Sequence, residues 1–382
     1  MSLEAPPLAL YLHFPWCVRK CPYCDFNSHA AGADMPAAAY VEALARDLDD
    51  QAPRVAGREV ISIFLGGGTP SLFSPEQIGA VLEHARRVLR LAADAEVTLE
   101  ANPGTIERGR FAGYRDAGVN RVSLGAQSFD DGALQRLGRI HVADDTRRAA
   151  EELHACSLAN FNLDLMYALP EQSVTAAERD VAAALQLAPA HLSHYQLTLE
   201  PGTLFGARPP AGLPDDDAAA EMLQRCQERL AAAGFEQYEV SAYARPGRRC
   251  RHNQNYWGFG DYLGVGAGAH GKLTDAVGQR IVRTTRPREP RRYLAQVQLD
   301  GVEEKPIAAS DLPFEFMMNA LRRVEGCSRM EFESRTGLQW STVGATLERA
   351  VRDGLVLADG GRWRTTPLGA RFLNDLLGRF LP

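Results

Sequence analysis

The sequence predicts an α/β chain: a partial (β/α)6 TIM-like barrel followed by a small C-terminal helical, winged-helix-like domain. Three observations carry this. Short β-branched or leucine-rich runs ending near Phe14, Leu65, Glu100, Leu124, Met166 and Leu197 alternate with helical patterns, which is the signature of successive βα units and a parallel sheet. Within most of these runs apolar and polar residues alternate, so each strand has a helix-facing and a lumen-facing side. From Phe314 onward the pattern changes to three helical stretches, a tight turn and an amphipathic last helix.

In chain order, the first run places Leu10, Leu12 and Phe14 outward and Tyr11 and His13 inward, and a helical pattern follows from Met35 to Gln51. The second run, Ile61 to Leu65, leads through a glycine loop to a helix from Pro75 to Leu91 with Ile78, Val81, Leu82, Ala85, Val88 and Leu89 on one face. Ser74 as N-cap, Pro75 at the first helical position and Gln77 three residues beyond the cap mark where that helix begins. Val97 and Leu99 alternate with Thr98 and Glu100; Val122 and Leu124 alternate with Ser123 and Gly125, continuing to Gln127. Phe161, Leu163 and Leu165 alternate with Asn162 and Asp164, and a helix spans Val174 to Leu187. In the sixth run Tyr195 and Leu197 are assigned outward, with His194, Gln196 and Thr198 inward. An antiparallel sheet with one wet face would also alternate, but intervening helices favour the parallel arrangement. In such a barrel the carboxyl ends of the strands share one mouth, where a cysteine loop, the glycine loop, Glu100, Gln127 and Asp164 converge.

Beyond the barrel, Asp215 caps a helix that stops at Gly234, and the stretch from Gly264 to Gly271 is too glycine-rich for a helix. Arg280, Arg283, Arg286, Arg288, Arg291 and Arg292 stand against a single Glu289, and this basic stretch reads as a linker or surface arm. Last come a hairpin around Asp359-Gly360-Gly361 and a helix bearing Phe372, Leu373, Leu376, Leu377 and Phe380. The organisation expected is a barrel with its extension over 1–282, a basic linker over 283–310 and the winged-helix-like domain over 311–382.

With 382 residues and 45% hydrophobic content, the chain can bury one large core and a smaller second one, and no apolar run is long enough for a transmembrane segment. A net charge of −6 offers no general attraction for nucleic acid. The arginine-rich, lysine-poor composition reads as a genome signature rather than a function. Residues 1–7 lack the basic start and apolar stretch of a secretion signal, so the reducing cytoplasm is the expected location.

Of seven cysteines, Cys156, Cys226, Cys250 and Cys327 are widely scattered and read as buried thiols, whereas Cys17, Cys21 and Cys24 fall within one short loop. Three thiolates at this spacing can hold three corners of a cubane [4Fe-4S] cluster and leave the fourth iron open to a small molecule. A zinc site completed by His13 or His29 is the main alternative, and a disulfide the lesser one. Gly66, Gly67, Gly68, Thr69 and Pro70 follow the second strand; without side chains, such a loop brings backbone polar groups against a ligand. The Gly-Lys-Ser/Thr ending of a phosphate loop and the spacing of a dinucleotide fingerprint are both missing.

Cys-x3-Cys-x2-Cys, Gly-Gly-Gly-Thr-Pro, Leu-Glu-Ala-Asn-Pro, Leu-Gly-Ala-Gln-Ser-Phe, Gly-Arg-Ile-His and Asn-Leu-Asp-Leu-Met-Tyr-Ala-Leu-Pro together resemble the oxygen-independent coproporphyrinogen III oxidase group of radical SAM proteins over nearly the whole chain. The resemblance implies that Cys17, Cys21 and Cys24 bind the cluster, and that Tyr11, Tyr23, Gly67, Gly68, Thr69, Glu100, Gln127, Arg139 and Asp164 fall on positions that contact S-adenosylmethionine (SAM). Chemistry agrees with several of these: a carboxylate accepts from a ribose or amino group, an arginine can pair with the methionine carboxylate, and a tyrosine can pack on adenine. Structural alternatives remain for Glu100 and Asp164 as lumen ion-pair partners and for Arg139 as a solvated residue.

Two features direct the resemblance to the haem-chaperone branch of the group. The oxidases carry a further cysteine two positions after the third cluster ligand, where this chain has Phe26. Arg251-His252-Asn253-Gln254-Asn255-Tyr256-Trp257 matches the His-Asn-x-x-Tyr-Trp motif associated in that branch with haem, and imidazole can ligate iron while flat rings pack on the macrocycle. A histidine in an ordinary aromatic core is the alternative for His252. The leading expectation is a haem chaperone that hands haem to acceptor proteins. The second is a coproporphyrinogen oxidase that decarboxylates propionate side chains. The third is a winged-helix DNA-binding regulator, for which the stretch from Ser341 to Asp353, with two arginines against two acids, is poor footing for phosphate contacts. An electron-donating reductase is implied by the radical SAM resemblance, whatever the reaction.

Overall fold

The computed structural model describes residues 2–32, 34–104, 109–296 and 302–382. Leu8–Phe14 (β1), Glu59–Gly67 (β2), Arg90–Ala101 (β3), Arg121–Gln127 (β4), Phe161–Tyr167 (β5) and His191–Gln196 (β6) pair in chain order, each parallel to the one before. Ala37–Gln51 (α1), Pro75–Val88 (α2), Phe111–Asp116 (α3), Ala143–Ala155 (α4), Val174–Gln186 (α5) and Asp216–Ala232 (α6) make the return connections. The start of α2 is the capping box expected: Ser74 Oγ accepts from the Gln77 N–H at 3.3 Å, and the Ser74 N–H donates to Gln77 Oε1 at 2.9 Å.

Outside this unit the sheet continues on both sides. Glu236–Glu239 (β7) and Ala242–Ala244 (β8) form a hairpin whose second strand runs antiparallel to β6. Asp261–Val265 (β9) lies parallel to β1, and His270–Asp275 (β10), Arg280–Thr285 (β11) and Glu303–Pro306 (β12) follow antiparallel. Among the described residues the order is β12-β11-β10-β9-β1-β2-β3-β4-β5-β6-β8-β7, an open arc with two edges. Leu10, Leu12, Val60, Ile63, Leu99, Leu163 and Leu192 are buried in the main core.

Two expectations are corrected. The sixth strand is in the opposite phase: Ser193 and Tyr195 face the lumen, where Tyr195 Oη donates to Gln127 Oε1 at 2.8 Å and Ser193 Oγ to Asn162 Oδ1 at 3.1 Å. His194 instead stacks on Tyr167 at a centroid distance of 4.8 Å. The stretch 283–310 is not a linker or arm where it is described, because β11 and β12 lie within it in part or whole and extend the sheet. The Arg286 side chain there is 2% exposed and donates to both carboxylate oxygens of Asp47 on α1 at 2.9 and 3.0 Å, so its charge is neutralised inside the protein.

Leu312–Ala320, Arg329–Thr336 and Ser341–Arg352 are the helices of the C-terminal unit, beside a three-stranded sheet of Cys327–Ser328, Val356–Asp359 and Arg362–Thr365. The last helical pattern is broken at Phe372 into Pro367–Arg371 and Leu373–Gly378. A second core of Phe316, Phe332, Leu347 and Leu376 also takes in Leu3, Phe259 and Ile281 from the barrel portion, and Arg322 pairs with Glu239 of β7 at 3.2 Å.

Candidate functional site

The cysteine loop leaves β1 and is closed on itself by a short parallel pairing of Trp16–Cys17 with His29–Ala30. Pro15 O accepts from the His29 N–H and Cys17 O from the Ala31 N–H, each at 2.7 Å. Inside the loop Cys21 O accepts from the Cys24 N–H at 3.2 Å, which turns the chain so that Cys17, Cys21 and Cys24 all line one cavity of about 140 Å3. All three thiols are half-buried. Burial pushes the Cys17 and Cys24 thiols up, against which Thr69 and Ser28 hydroxyls act on Cys17 and the Phe26 backbone and Ser28 on Cys24. Among the described residues no three Cys, His, Asp or Glu side chains are grouped as the ligand set of a single metal ion. His13 is otherwise engaged, with Nδ1 on Tyr11 Oη and Nε2 on Asn27 O, both at 2.9 Å.

Glycine is required in the neighbouring loop by crowding. A Cβ on Gly68 would sit 2.6 Å from Trp16 O and 2.8 Å from Phe14 O, and one on Gly67, at φ 110°, would meet the His13 ring at 2.3 Å. The close approach lets the Gly68 N–H donate to Phe14 O and the Thr69 N–H to Trp16 O, each at 2.7 Å, docking this loop on the cysteine loop. These N–H groups are therefore spent on the protein, and the Gly67 N–H donates to Glu100 Oε2 at 2.9 Å.

Glu100 comes from β3. Burial raises its carboxyl to about 7; the Gly67 N–H opposes the rise and the Asp164 charge adds to it. Burial also raises Asp164, although Asn162 Nδ2 donates to its Oδ1 at 2.7 Å and Ser123 Oγ to its Oδ2 at 3.2 Å. Arg139 is not a solvated residue: Nη2 donates to Asn102 Oδ1 at 2.6 Å and Gly125 O at 2.8 Å, and Nη1 points to Cys21 Sγ at 3.6 Å. Its buried Nε has no partner among the described residues. Asn102 in turn donates to Thr69 Oγ1 at 2.8 Å, so one amide joins the glycine loop to the arginine. Gln127, at φ 66°, and Tyr23 complete the cavity lining.

Tyr11 and His252 are placed elsewhere, on a second cavity of about 700 Å3 that shares Phe26, Gly67 and Glu100 with the first. His252 lies on the short helix Arg251–Trp257 (α7), whose first N–H groups are taken by a carboxylate across the barrel: Glu96 accepts from Arg251 at 3.1 Å and His252 at 3.2 Å. The imidazole is 8% exposed, contacts Ser62 Oγ through Nδ1 at 3.3 Å and lies 5.0 Å from the Phe64 ring centroid. Burial, aided by the Arg121 charge, lowers it to about 3, so it is neutral and able to ligate. Phe26 lies between the two cavities with 59% exposure.

Asn102 and Glu96 were not singled out from the sequence, Ser123 was read only as a lumen-facing strand residue, and Tyr195 was assigned to the wrong face. Asn102 had a visible signal, since it follows Glu100 by two positions and belongs to the same Leu-Glu-Ala-Asn-Pro run; Glu96 had none, because its partners are 155 and 156 residues away.

Residues 11–183 match the model of the radical SAM superfamily, and residues 307–372 match that of the HemN C-terminal domain. The chain is 50% identical to the heme chaperone HemW of Escherichia coli K12 and 47% identical to that of Haemophilus influenzae, over 99% of each protein and 99% of this chain in both cases. The chain belongs to the HemW family of the radical SAM superfamily. Its fold is also that of the E. coli coproporphyrinogen III oxidase HemN, a radical SAM enzyme, with a TM-score of 0.83 at 24% identity over 98% of this chain and 90% of that one. The cofactors of the superfamily are a [4Fe-4S] cluster and SAM, and the residues present fit them: three thiols on one cavity, a glycine loop that lines it, and an arginine on the same wall whose buried Nε has no partner among the described residues. No helix among the described residues is long and apolar enough to cross a membrane.

Proposed function

We propose that this protein is a haem chaperone that binds haem in the 700 Å3 cavity and passes it to acceptor proteins. The observation that carries this is His252: a neutral, buried imidazole with Nδ1 engaged by Ser62 and no partner on Nε2 among the described residues, on a cavity walled by Phe64, Tyr256, Trp257 and Tyr262. Cavities of this size suit a cofactor-sized ligand. The full-length similarity to proteins named heme chaperones supports the same reading.

In this reading Cys17, Cys21 and Cys24 hold the cluster, and Tyr23, Gly67, Gly68, Thr69, Glu100, Gln127, Arg139 and Asp164 contact SAM. The cluster, when bound, offers an open iron to the amino and carboxylate groups of SAM and a route for an electron. Arg139 orients toward the methionine carboxylate, Glu100 and Asp164 accept from ribose or amino donors, and Tyr11 shapes the haem side of the shared wall. A reductase is the electron donor, the cytoplasm the location, and nucleic acid is not a partner. The oxidase reading is not adopted because Phe26 stands where that pattern has a cysteine.

Haem titrated into the anaerobically purified protein should give a saturable Soret change, weakened or spectrally altered in His252→Ala. Absence of saturable binding, or an identical affinity and spectrum in the variant, would overturn the reading.

A further inference from the structure

The large cavity contains three histidines with different freedoms. Both nitrogens of His13 are taken by Tyr11 and Asn27, so it cannot reach a metal without breaking two hydrogen bonds. His252 is free only at Nε2. His270, the first residue of β10, lines the same cavity at its solvent-facing rim, and neither of its ring nitrogens has a hydrogen-bond partner among the described residues. The fold brings these two histidines to one opening: Tyr11, whose ring is 6.4 Å from that of His252, pairs in register with Gly264, and a Cβ on Gly264 would lie 1.9 Å from His270 O. Only a glycine there lets β10 approach so closely.

The cavity also has two arginines of unequal availability. Arg283 Nη1 donates to Tyr262 Oη at 2.9 Å and Nη2 is paired with Glu315. Arg288 lines the rim with no carboxylate partner among the described residues. A macrocycle whose face is apolar and whose edge carries carboxylates matches this arrangement, with rings inside and a free guanidinium at the mouth.

We infer that haem is seated between His252, as the buried axial ligand, and His270, as the rim-side axial ligand, with a propionate on Arg288. This rests on the haem-chaperone reading and adds to it the second ligand and the orientation. Neutral imidazole is needed at both positions; burial, with the Arg283 and Arg288 charges, lowers His270 in that direction. A ligand at the solvent edge also suits a carrier, because a nitrogen or sulfur of an acceptor can replace it while the buried histidine still holds the iron.

The test is the absorption and resonance Raman spectrum of the full chain titrated with ferric haem. Wild type should be six-coordinate and low-spin. His270→Ala should bind haem in a high-spin form and return to low-spin on addition of imidazole, and far-UV circular dichroism checks that it has folded. Arg288→Gln should bind haem on the order of tenfold more weakly, yet bind haem dimethyl ester as wild type does, because only the free acid can use the guanidinium. Saturable binding with an unchanged low-spin spectrum in His270→Ala overturns the second ligand and leaves the chaperone reading intact. Equal losses for haem and its diester in Arg288→Gln overturn the propionate contact. Failure of wild type to bind haem removes both this assignment and the reading beneath it.

Discussion

Glu100→Gln tests the electrostatics of the shared wall most directly. In the folded chain Glu100 is raised from 4.5 to about 7, first by burial and then by Asp164, with the Gly67 N–H acting against the rise. A carboxyl raised in this way keeps its proton in the native state over a pH range in which the unfolded chain has lost it. Between pH 4.5 and 7 the native state therefore binds more protons, and stability falls as pH rises through that window. The displacement corresponds to a loss of about 3 kcal/mol on crossing the whole window, fully present above pH 7 and absent below 4.5. Glutamine accepts the same Gly67 N–H but cannot ionise, so it should remove this contribution without disturbing the loop. Urea denaturation of cluster-free wild type and variant at pH 5 and pH 8 gives the comparison, since every other titrating group is common to both. The stability difference between variant and wild type should shift by about 3 kcal/mol in favour of the variant at the higher pH. Parallel profiles for the two proteins would refute the assignment of a protonated Glu100.

Three further outcomes follow from contacts elsewhere. Gly68→Ala places a Cβ against two immobile backbone oxygens, Trp16 O and Phe14 O, and should separate the glycine and cysteine loops; a loss of about 2–4 kcal/mol and poor cluster incorporation on anaerobic reconstitution are expected, and normal iron content with an unchanged melting temperature would contradict this. Asp47→Asn leaves Arg286 buried without its counter-charge and should cost about 3–5 kcal/mol in a denaturant titration, with part of the loss recovered in the Asp47→Asn, Arg286→Gln double variant. Asn102→Ala cuts the amide that joins Thr69 to Arg139, so SAM binding measured calorimetrically should weaken by on the order of tenfold while the melting temperature changes little.

The parts of the site legible in the sequence are those whose partners are near in the chain or fixed by the pitch of a strand. Cys17, Cys21 and Cys24 lie in one turn. Glu100 and Gln127 stand at the carboxyl ends of their strands and Asp164 on the lumen face midway along its own, and parallel topology brings these faces together whatever lies between. The glycine loop was located correctly, but its use was not legible: Gly67 and Gly68 are needed because His13 and two carbonyls of the preceding strand and loop press on them, and those contacts cross from one βα unit to the next. The helix cap at Ser74 was legible for the same reason as the cysteines, since donor and acceptor are three residues apart.

The errors have a common physical origin. In His191–Gln196 polar residues occupy both faces, so the phase depended on one flanking leucine; Leu192 and Leu197 give opposite answers, and Leu197 stands one residue past the end of the strand, where alternation no longer applies. The arginines of 280–292 were read as solvated because charge is costly to bury alone, but Arg286 is not alone: Asp47, 239 residues earlier, meets it inside the protein, and Tyr293 Oη joins the same carboxylate at 2.9 Å. That anion on α1 is also why the segment after β11 turns back onto the barrel instead of leaving it as an arm. Composition reports how many charges a stretch carries, whereas burial depends on whether an opposite charge waits at the place to which the backbone delivers them; here only the tertiary pairing supplies that answer.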